Sequence, residues 1–302
     1  MTLMNKLVLY FRLVRVSHWS KNLIIPFGFF LAAIYARDYS AIFRLGSLVQ
    51  VGAAFLSASL VSSANYILND VLDANSDKRH PLKMKRAVAS ETVQKGEVTL
   101  FMLFLFLAGF AVAISTHNAY TLLFLFLLVI SSILYNVPPF RMKDIAFLDV
   151  VIESDNNPIR VLFGWYIILQ SFPPWPVIVF LWVYAAVLMT AKRFSELLYL
   201  GSETARNYRP VFRVYTLQTL RYAFVAYSAA SVGVIVYVAA RIGMLFSLFA
   251  LLLGVQLVWL YNLMYSKKEI VQKIENVYKL PAFLAYMVAI ICAGMLLFII
   301  VY

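Results

Sequence analysis

Apolar residues fall along the chain in nine runs, at about 22–36, 46–68, 98–116, 119–136, 145–170, 175–191, 222–240, 243–265 and 281–302. Most are as long as a helix that crosses a bilayer, and far longer than the ten-residue alternating strands of a membrane barrel. In hydrocarbon every backbone amide must find its partner within the segment, so such runs predict helices. The pattern predicts an all-α, polytopic membrane protein with about nine transmembrane helices in one domain, 1–302. Residues 1–21 are mildly amphipathic and carry Lys6, Arg12, Arg15 and Lys21. They fit an interfacial N-terminal helix better than a cleavable signal peptide.

The polar stretches between the runs alternate in character. If the N-terminus is cytoplasmic, the inner stretches are 1–21, 69–97, 137–144, 192–221 and 266–280. Of the 26 Lys and Arg, 22 fall on these, three (Arg37, Arg44, Arg241) fall outside, and Arg160 lies within the fifth run. This bias sets the orientation, with an odd number of spans and the C-terminus outward. The expected location is the cell inner (plasma) membrane, with the active site facing the cytoplasm. The two inner loops of about thirty residues, 69–97 and 192–221, follow the second and sixth runs, which hints at a four-span repeat. Long loops on one face are where chemistry is expected.

The richest stretch runs from Asn69 to Arg86. Asp70, Asp73 and Asp77 share one face of a helix about two turns long. Lys78, Arg79, His80, Lys83, Lys85 and Arg86 follow within nine residues. Three carboxylates at a membrane boundary repel one another unless a cation lies between them. Hard oxygen ligands suit Mg²⁺, which takes one or two carboxylates plus substrate phosphates. The expectation is a metal-diphosphate site: Asp70, Asp73 and Asp77 hold Mg²⁺, and Asn69, Lys83 and Arg86 contact the substrate.

A second constellation lies inside the fifth run, where Asp149 and Glu153 share a helix face, followed by Ser154, Asp155, Asn156, Asn157, Pro158 and Arg160. Groups this polar at membrane depth face a cavity or one another. One reading is a second acidic wall, with Asp149 and Glu153 as catalytic groups and Asn157 and Arg160 on the substrate. The other is an internal ion pair of Glu153 or Asp155 with Arg160 that locks packing. Lys192 and Arg193 leave the membrane at the end of the sixth run and are expected on phosphate. Lys21 and Asn22 are expected to reach the cavity, Trp19 to anchor at the interface, and Tyr66 and Tyr135 to line the cavity.

Composition narrows the class. The chain is 63% hydrophobic and 13% charged, with mean hydropathy +0.82, unlike a soluble globular domain. Its net charge of +12 fits positive-inside loops and anionic headgroups better than nucleic acid. A single cysteine, Cys292, excludes disulfides. His18, His80 and His117 lack zinc-ligand spacing. Without GxxxxGK[ST], GxGxxG or HExxH, the P-loop, Rossmann and zincin readings fall away. A carrier would place its ionisable groups at mid-membrane in broken helices, whereas here they gather at the inner boundary.

Asn69-Asp70-xx-Asp73-xxx-Asp77 is similar to the NDxxDxxxD signature of the UbiA superfamily of intramembrane prenyltransferases. That resemblance implies nine transmembrane helices around a central cavity open to the cytoplasm, two acidic motifs and Mg²⁺. Within the superfamily, four stretches resemble the decaprenyl-phosphate phosphoribosyltransferase branch. They are His18-Trp19-Ser-Lys21-Asn22, His80-Pro81-x-Lys83-xx-Arg86, Leu148-Asp149-Val150, and Ala191-Lys192-Arg193-Phe-Ser-Glu196 with Tyr208-Arg209-Pro210 and Tyr215-Thr216 beyond. The implied reaction moves a 5-phosphoribosyl group from phosphoribosyl pyrophosphate to a polyprenyl phosphate in the bilayer. The alternative is transfer of a prenyl group from a prenyl diphosphate to an aromatic or lipid acceptor, with Asp149 and Glu153 on a second metal or acting as base. An inactive transporter-like or scaffold protein is a third reading, and homo-oligomerisation is left open. The chain departs from the branch at Ala87, where a proline is usual, at Glu91-Thr92, and at the polar segment Glu153–Asn157.

Overall fold

A computed structural model of the chain describes residues 3–80, 83–273, 276 and 279–301. Pro81, four positions of the 266–280 stretch and residue 302 lie outside them. Every regular element among the described residues is helical. Seven helices are long and apolar enough to cross a membrane: α3 (Leu45–Asp77), α4 (Lys95–Ser115), α5 (Ala119–Asn136), α7 (Trp175–Leu200), α9 (Leu217–Ile242), α10 (Leu245–Ser266) and α12 (Pro281–Val301). The other two expected spans are also helices but differ from these. One is α2 (Ile24–Tyr35), at 12 residues about 18 Å long. The other is α6 (Leu148–Trp165), which carries Asp149, Glu153, Asp155 and Arg160 within 18 residues. Shorter helices are α1 (Leu3–Val14), α8 (Ser202–Tyr208) and α11 (Lys268–Val271).

The chain divides into two compact units. Unit 1 holds residues 1–33, 39–143 and 159–171, and unit 2 holds 34–38, 144–158 and 172–302. In unit 1, small residues let α3 meet α4 closely. A Cβ on Gly109 would stand 2.8 Å from Val61 Cγ2 and 3.1 Å from the Ser57 carbonyl oxygen. Ala54, Ala58 and Val61 are fully buried with Leu125, Phe124 and Phe163. Helix α2 meets the C-terminal part of α6 through two glycines. A Cβ at Gly28 would fall 2.2 Å from the Val161 carbonyl oxygen, and one at Gly164 1.8 Å from that of Ile25. Close backbone approach is how membrane helices pack when lipid is as apolar as their side chains.

In unit 2, α7, α9, α10 and α12 pack around Val187, Phe224, Phe249, Leu253, Leu257, Leu260 and Phe283. The C-terminal end of α7 and the N-terminal end of α9 are bridged by α8 and a 3₁₀ turn, Pro210–Arg213, whose Val211 and Phe212 are buried with Phe194. Thr216 starts α9 with a reciprocal cap to Thr219.

Candidate active site

Helix α3 has 33 residues, about 50 Å at 1.5 Å per residue. Its apolar part, 48–68, already spans about 31 Å, the thickness of the hydrocarbon. The last nine residues therefore run past it, and Asn69, Asp70, Asp73 and Asp77 lie on this overhang. The stretch expected as the start of a loop is a continuing helix, and the expected common face is present, with Asp70, Asp73 and Asp77 all buried.

What buries them is cationic. Arg15 reaches Asp70 Oδ2 at 2.5 Å, and Arg86 bridges Asp70 Oδ1 and Asp77 Oδ2, each at 2.9 Å. Arg141 pairs with Asp73 Oδ1 at 2.8 Å, and Lys143 touches both Asp73 oxygens at 2.7 and 2.8 Å. Lys143, 1% exposed, also donates to Asn69 Oδ1 and Asn136 Oδ1 at 3.1 and 3.0 Å. Four cations thus face three carboxylates, a surplus of positive charge suited to an anionic ligand.

Three local devices deliver these side chains. Residues Val16–Leu23 form a 3₁₀ helix laid along α3 and bonded to it turn by turn. Asn22 Nδ2 donates to Ser59 Oγ and Trp19 Nε1 to Ser63 Oγ, both at 3.0 Å. His18 and Arg15 lie on the Tyr66 ring at 5.0 and 5.2 Å. The α3 partners 59, 63, 66 and 70 are spaced along one helical face, and Arg15, in the left-handed region at φ 51°, ends the series at Asp70. Helix α5 stops at Asn136 because Val137 precedes Pro138 and is extended. The chain then turns through Arg141, also at positive φ, 35°, into Lys143. Beyond α3, the buried His80 accepts the Lys83 N–H at its Nδ1 (3.3 Å) in the turn that presents Arg86. Positive φ at two arginines of one site is strain of the kind found at functional positions.

Other expected residues are placed as follows. Asn22 is buried, bonding Ser59 and accepting from Arg160 Nε at 2.7 Å. Its amide therefore positions Arg160. Trp19 is half-buried, with its indole N–H on Ser63 Oγ. Lys21, Lys83, Tyr66 and Tyr135 are half-buried.

In unit 2, Lys192 and Arg193 lie on α7, which continues to Leu200 where a loop was expected. Arg193 is buried. Its Nε donates to Asp149 Oδ2 at 2.6 Å and its Nη1 to Glu196 Oε2 at 2.9 Å. Tyr215 donates to Asp149 Oδ1 at 2.5 Å and accepts the Phe147 N–H at 2.7 Å. Burial, then the Asp149 carboxylate, push the Tyr215 hydroxyl above its ordinary pKa. Asp149 and Arg193 satisfy one another, whereas Lys192, Glu153 and Asn157 are half-buried.

Sequence reasoning missed Arg15, Arg141 and Lys143 on the carboxylates. Their one signal was position, each in a short inner stretch bordering an apolar run. Among the described residues no three His, Cys, Asp or Glu side chains gather as a ready metal site, because Arg86, Arg141 and Lys143 stand among the carboxylates. The donor set nevertheless fits Mg²⁺ in kind. Asn69, Asp73 and Asp77 offer hard oxygens, and Asp77 Oδ1 is buried with no hydrogen-bond partner among the described residues.

Comparison with known proteins settles the family, because residues 23–285 match the UbiA prenyltransferase family. The chain belongs to the UbiA prenyltransferase family. Its relatives include decaprenyl-phosphate phosphoribosyltransferases of Corynebacterium glutamicum and Mycolicibacterium smegmatis. The first is 24% identical over 241 residues, 72% of this chain and 63% of that protein. The second is 28% identical over 223 residues, 72% of this chain and 66% of that protein. A Sinorhizobium fredii protein, uncharacterized protein y4nM, is 29% identical over 183 residues, 61% of this chain but 33% of its own length. The chain thus spans a third to two thirds of these relatives. Among solved structures, an Archaeoglobus fulgidus UbiA homolog bound to GPP and Mg²⁺ superposes with TM-score 0.65 at 17% identity, covering 94% of this chain and 99% of that one. A digeranylgeranylglyceryl phosphate synthase structure gives 0.63 at 15%, with 98% of each chain covered. The UbiA fold is shared with both.

Proposed function

We propose that the protein is a Mg²⁺-dependent transferase that moves a 5-phosphoribosyl group from phosphoribosyl pyrophosphate to a polyprenyl phosphate, releasing pyrophosphate. The observation that carries the reading is the buried carboxylate face of α3 matched by Arg15, Arg86, Arg141 and Lys143. The relatives named decaprenyl-phosphate phosphoribosyltransferase support the choice of donor within a prenyltransferase family. The site faces the cytoplasm of a plasma-membrane protein, with α2 and α6 completing nine crossings.

Asp70, Asp73 and Asp77 would hold Mg²⁺, with Asn69 beside them, exchanging part of their contact with Arg15, Arg86, Arg141 and Lys143 for the metal. When bound, the metal would neutralise charge on the leaving pyrophosphate. Arg86, Arg141 and Lys143 turn part of their hydrogen bonding from carboxylate to phosphate oxygens, with Lys83 adding its charge, and these bonds strengthen as the anomeric C–O bond breaks. The pyrophosphate leaves with the electron pair of that bond. An oxygen of the lipid phosphate, already anionic, forms the new bond to the anomeric carbon without a general base. Lys21 contacts the lipid phosphate.

Purified protein with Mg²⁺ and labelled phosphoribosyl pyrophosphate should carry label into the organic phase only with a polyprenyl phosphate present, and EDTA should stop it. Absence of transfer, with turnover of a prenyl diphosphate instead, would overturn the donor assignment.

A further inference from the structure

The cations around the α3 carboxylates all belong to unit 1, but they do not stand at the same depth. Lys143 is enclosed, with 1% of its side chain exposed. The side chains of Arg15, Arg86 and Arg141 are 18%, 25% and 27% exposed, whereas those of Asp70, Asp73 and Asp77 are 5%, 7% and 1%. A ligand arriving from water therefore meets guanidinium before carboxylate. Arg15 and Arg86 take the two oxygens of the same carboxylate, Asp70, so their heads are neighbours. Arg15 makes one side-chain hydrogen bond among the described residues, to Asp70, which leaves most of its five N–H donors open. Its guanidinium also rests on the Tyr66 ring, a contact that holds the head in place when its hydrogen bonds change.

We infer that Arg15, Arg86 and Arg141 form an oxyanion site that takes a diphosphate without the metal, and that Mg²⁺ gains the carboxylates only together with that anion. The inference rests on the metal-diphosphate reading above and adds the order of binding to it. A free dication entering a cluster that already carries one positive charge in excess is repelled, and in a partly desolvated site that repulsion is weakly screened. To reach Asp70 or Asp73 it must also part buried carboxylates from the cations that satisfy them. A diphosphate reverses both conditions. Its oxygens draw the guanidinium forks outward, and the carboxylates they release are then short of positive charge, which a hard dication supplies.

The test is isothermal titration calorimetry of the full chain in detergent, with three titrants: Mg²⁺ alone, inorganic pyrophosphate in EDTA, and inorganic pyrophosphate with Mg²⁺. Pyrophosphate is the group released with either donor, so the result does not depend on which donor is used. Wild type should bind pyrophosphate in EDTA, bind it more tightly with Mg²⁺, and show no saturable binding of Mg²⁺ alone. Arg15→Gln and Arg141→Gln each leave the aspartate a second cation, Arg86 on Asp70 and Lys143 on Asp73. Each should weaken metal-free pyrophosphate binding about tenfold or more and make binding of free Mg²⁺ measurable. Changes of opposite sign separate this role from a structural one, because a damaged site loses both ligands. Arg15→Lys, which keeps the charge, should still exclude free Mg²⁺. If one Gln variant fails to fold, the other carries the comparison.

Saturable binding of Mg²⁺ alone to wild type, with pyrophosphate binding only after it, overturns the inference and leaves the transferase reading standing. Gln variants that weaken both ligands together overturn it as well. Metal-free pyrophosphate binding with no transfer from phosphoribosyl pyrophosphate to a polyprenyl phosphate upholds the inference and sinks the donor assignment. No binding of pyrophosphate under any condition overturns both.

Discussion

Lys143 brings its ammonium to Asp73, Asn69 and Asn136 with almost no exposure, so replacing it leaves a buried carboxylate short of a partner. Lys143→Met should destabilise the protein by about 3–5 kcal/mol, read as a lowered melting temperature in detergent, and should abolish measurable transfer. Arg193→Lys tests the other cluster. A single ammonium does not reproduce the guanidinium fork that serves Asp149 and Glu196 together, so a melting loss is expected while donor affinity changes little. Tyr215 gives a pH test. Its hydroxyl titrates higher folded than unfolded, so above about pH 10 the unfolded chain has shed a proton that the folded chain keeps. Stability should therefore fall as pH rises past that point, and Tyr215→Phe should flatten this slope in pH-dependent denaturation. The residue types and the face of Asp70, Asp73 and Asp77 were legible in the sequence because helical spacing is local. The partners were not. Arg15 and Lys143 lie 55 and 70 residues from the aspartates they meet, and no local pattern records such pairings. Arg193 shows the same limit from the other side: its charge was read correctly, but its partners were not.

At the scale of elements, helix existence followed from hydropathy, and boundaries shifted wherever a polar stretch stayed helical. Helix α3 ran on through Asp77 and α7 through Leu200 because the polar stretches 69–77 and 192–200 contain neither glycine nor proline. Helix α5, in contrast, ended where Pro138 required it. The closest element contact was invisible beforehand, since a glycine in an apolar run looks like any other small residue. Gly28→Ala or Gly164→Ala would drive a methyl into a carbonyl oxygen of the facing helix and should cost at least about 1–3 kcal/mol. Reduced yield and melting temperature would show it, whereas Gly52→Ala, with open space around it, should be near neutral.

For the whole molecule, the 22-to-3 distribution of basic residues predicts that reporters fused within 137–144 read as cytoplasmic and those near residue 241 as external. Fusions of opposite sense would invert the proposed orientation and take the cytoplasmic donor with it. Family membership was carried by one local motif, Asn69 to Asp77 on α3.

Helix α3 is also a ruler. One unbroken rod carries the apolar band and the carboxylates, so the height of the chemistry above the hydrocarbon is set by counting residues, whatever the length of the lipid tail. A single alanine inserted near Leu60 would lift the aspartates by only about 1.5 Å but swing them about 100° away from Arg15. Four inserted alanines would nearly restore the angle while raising them about 6 Å. Such a gauge reads the depth of a headgroup rather than the size of a tail. In vesicles of graded acyl length, turnover should therefore peak at one bilayer thickness, while polyprenyl phosphates of different lengths compete on nearly equal terms.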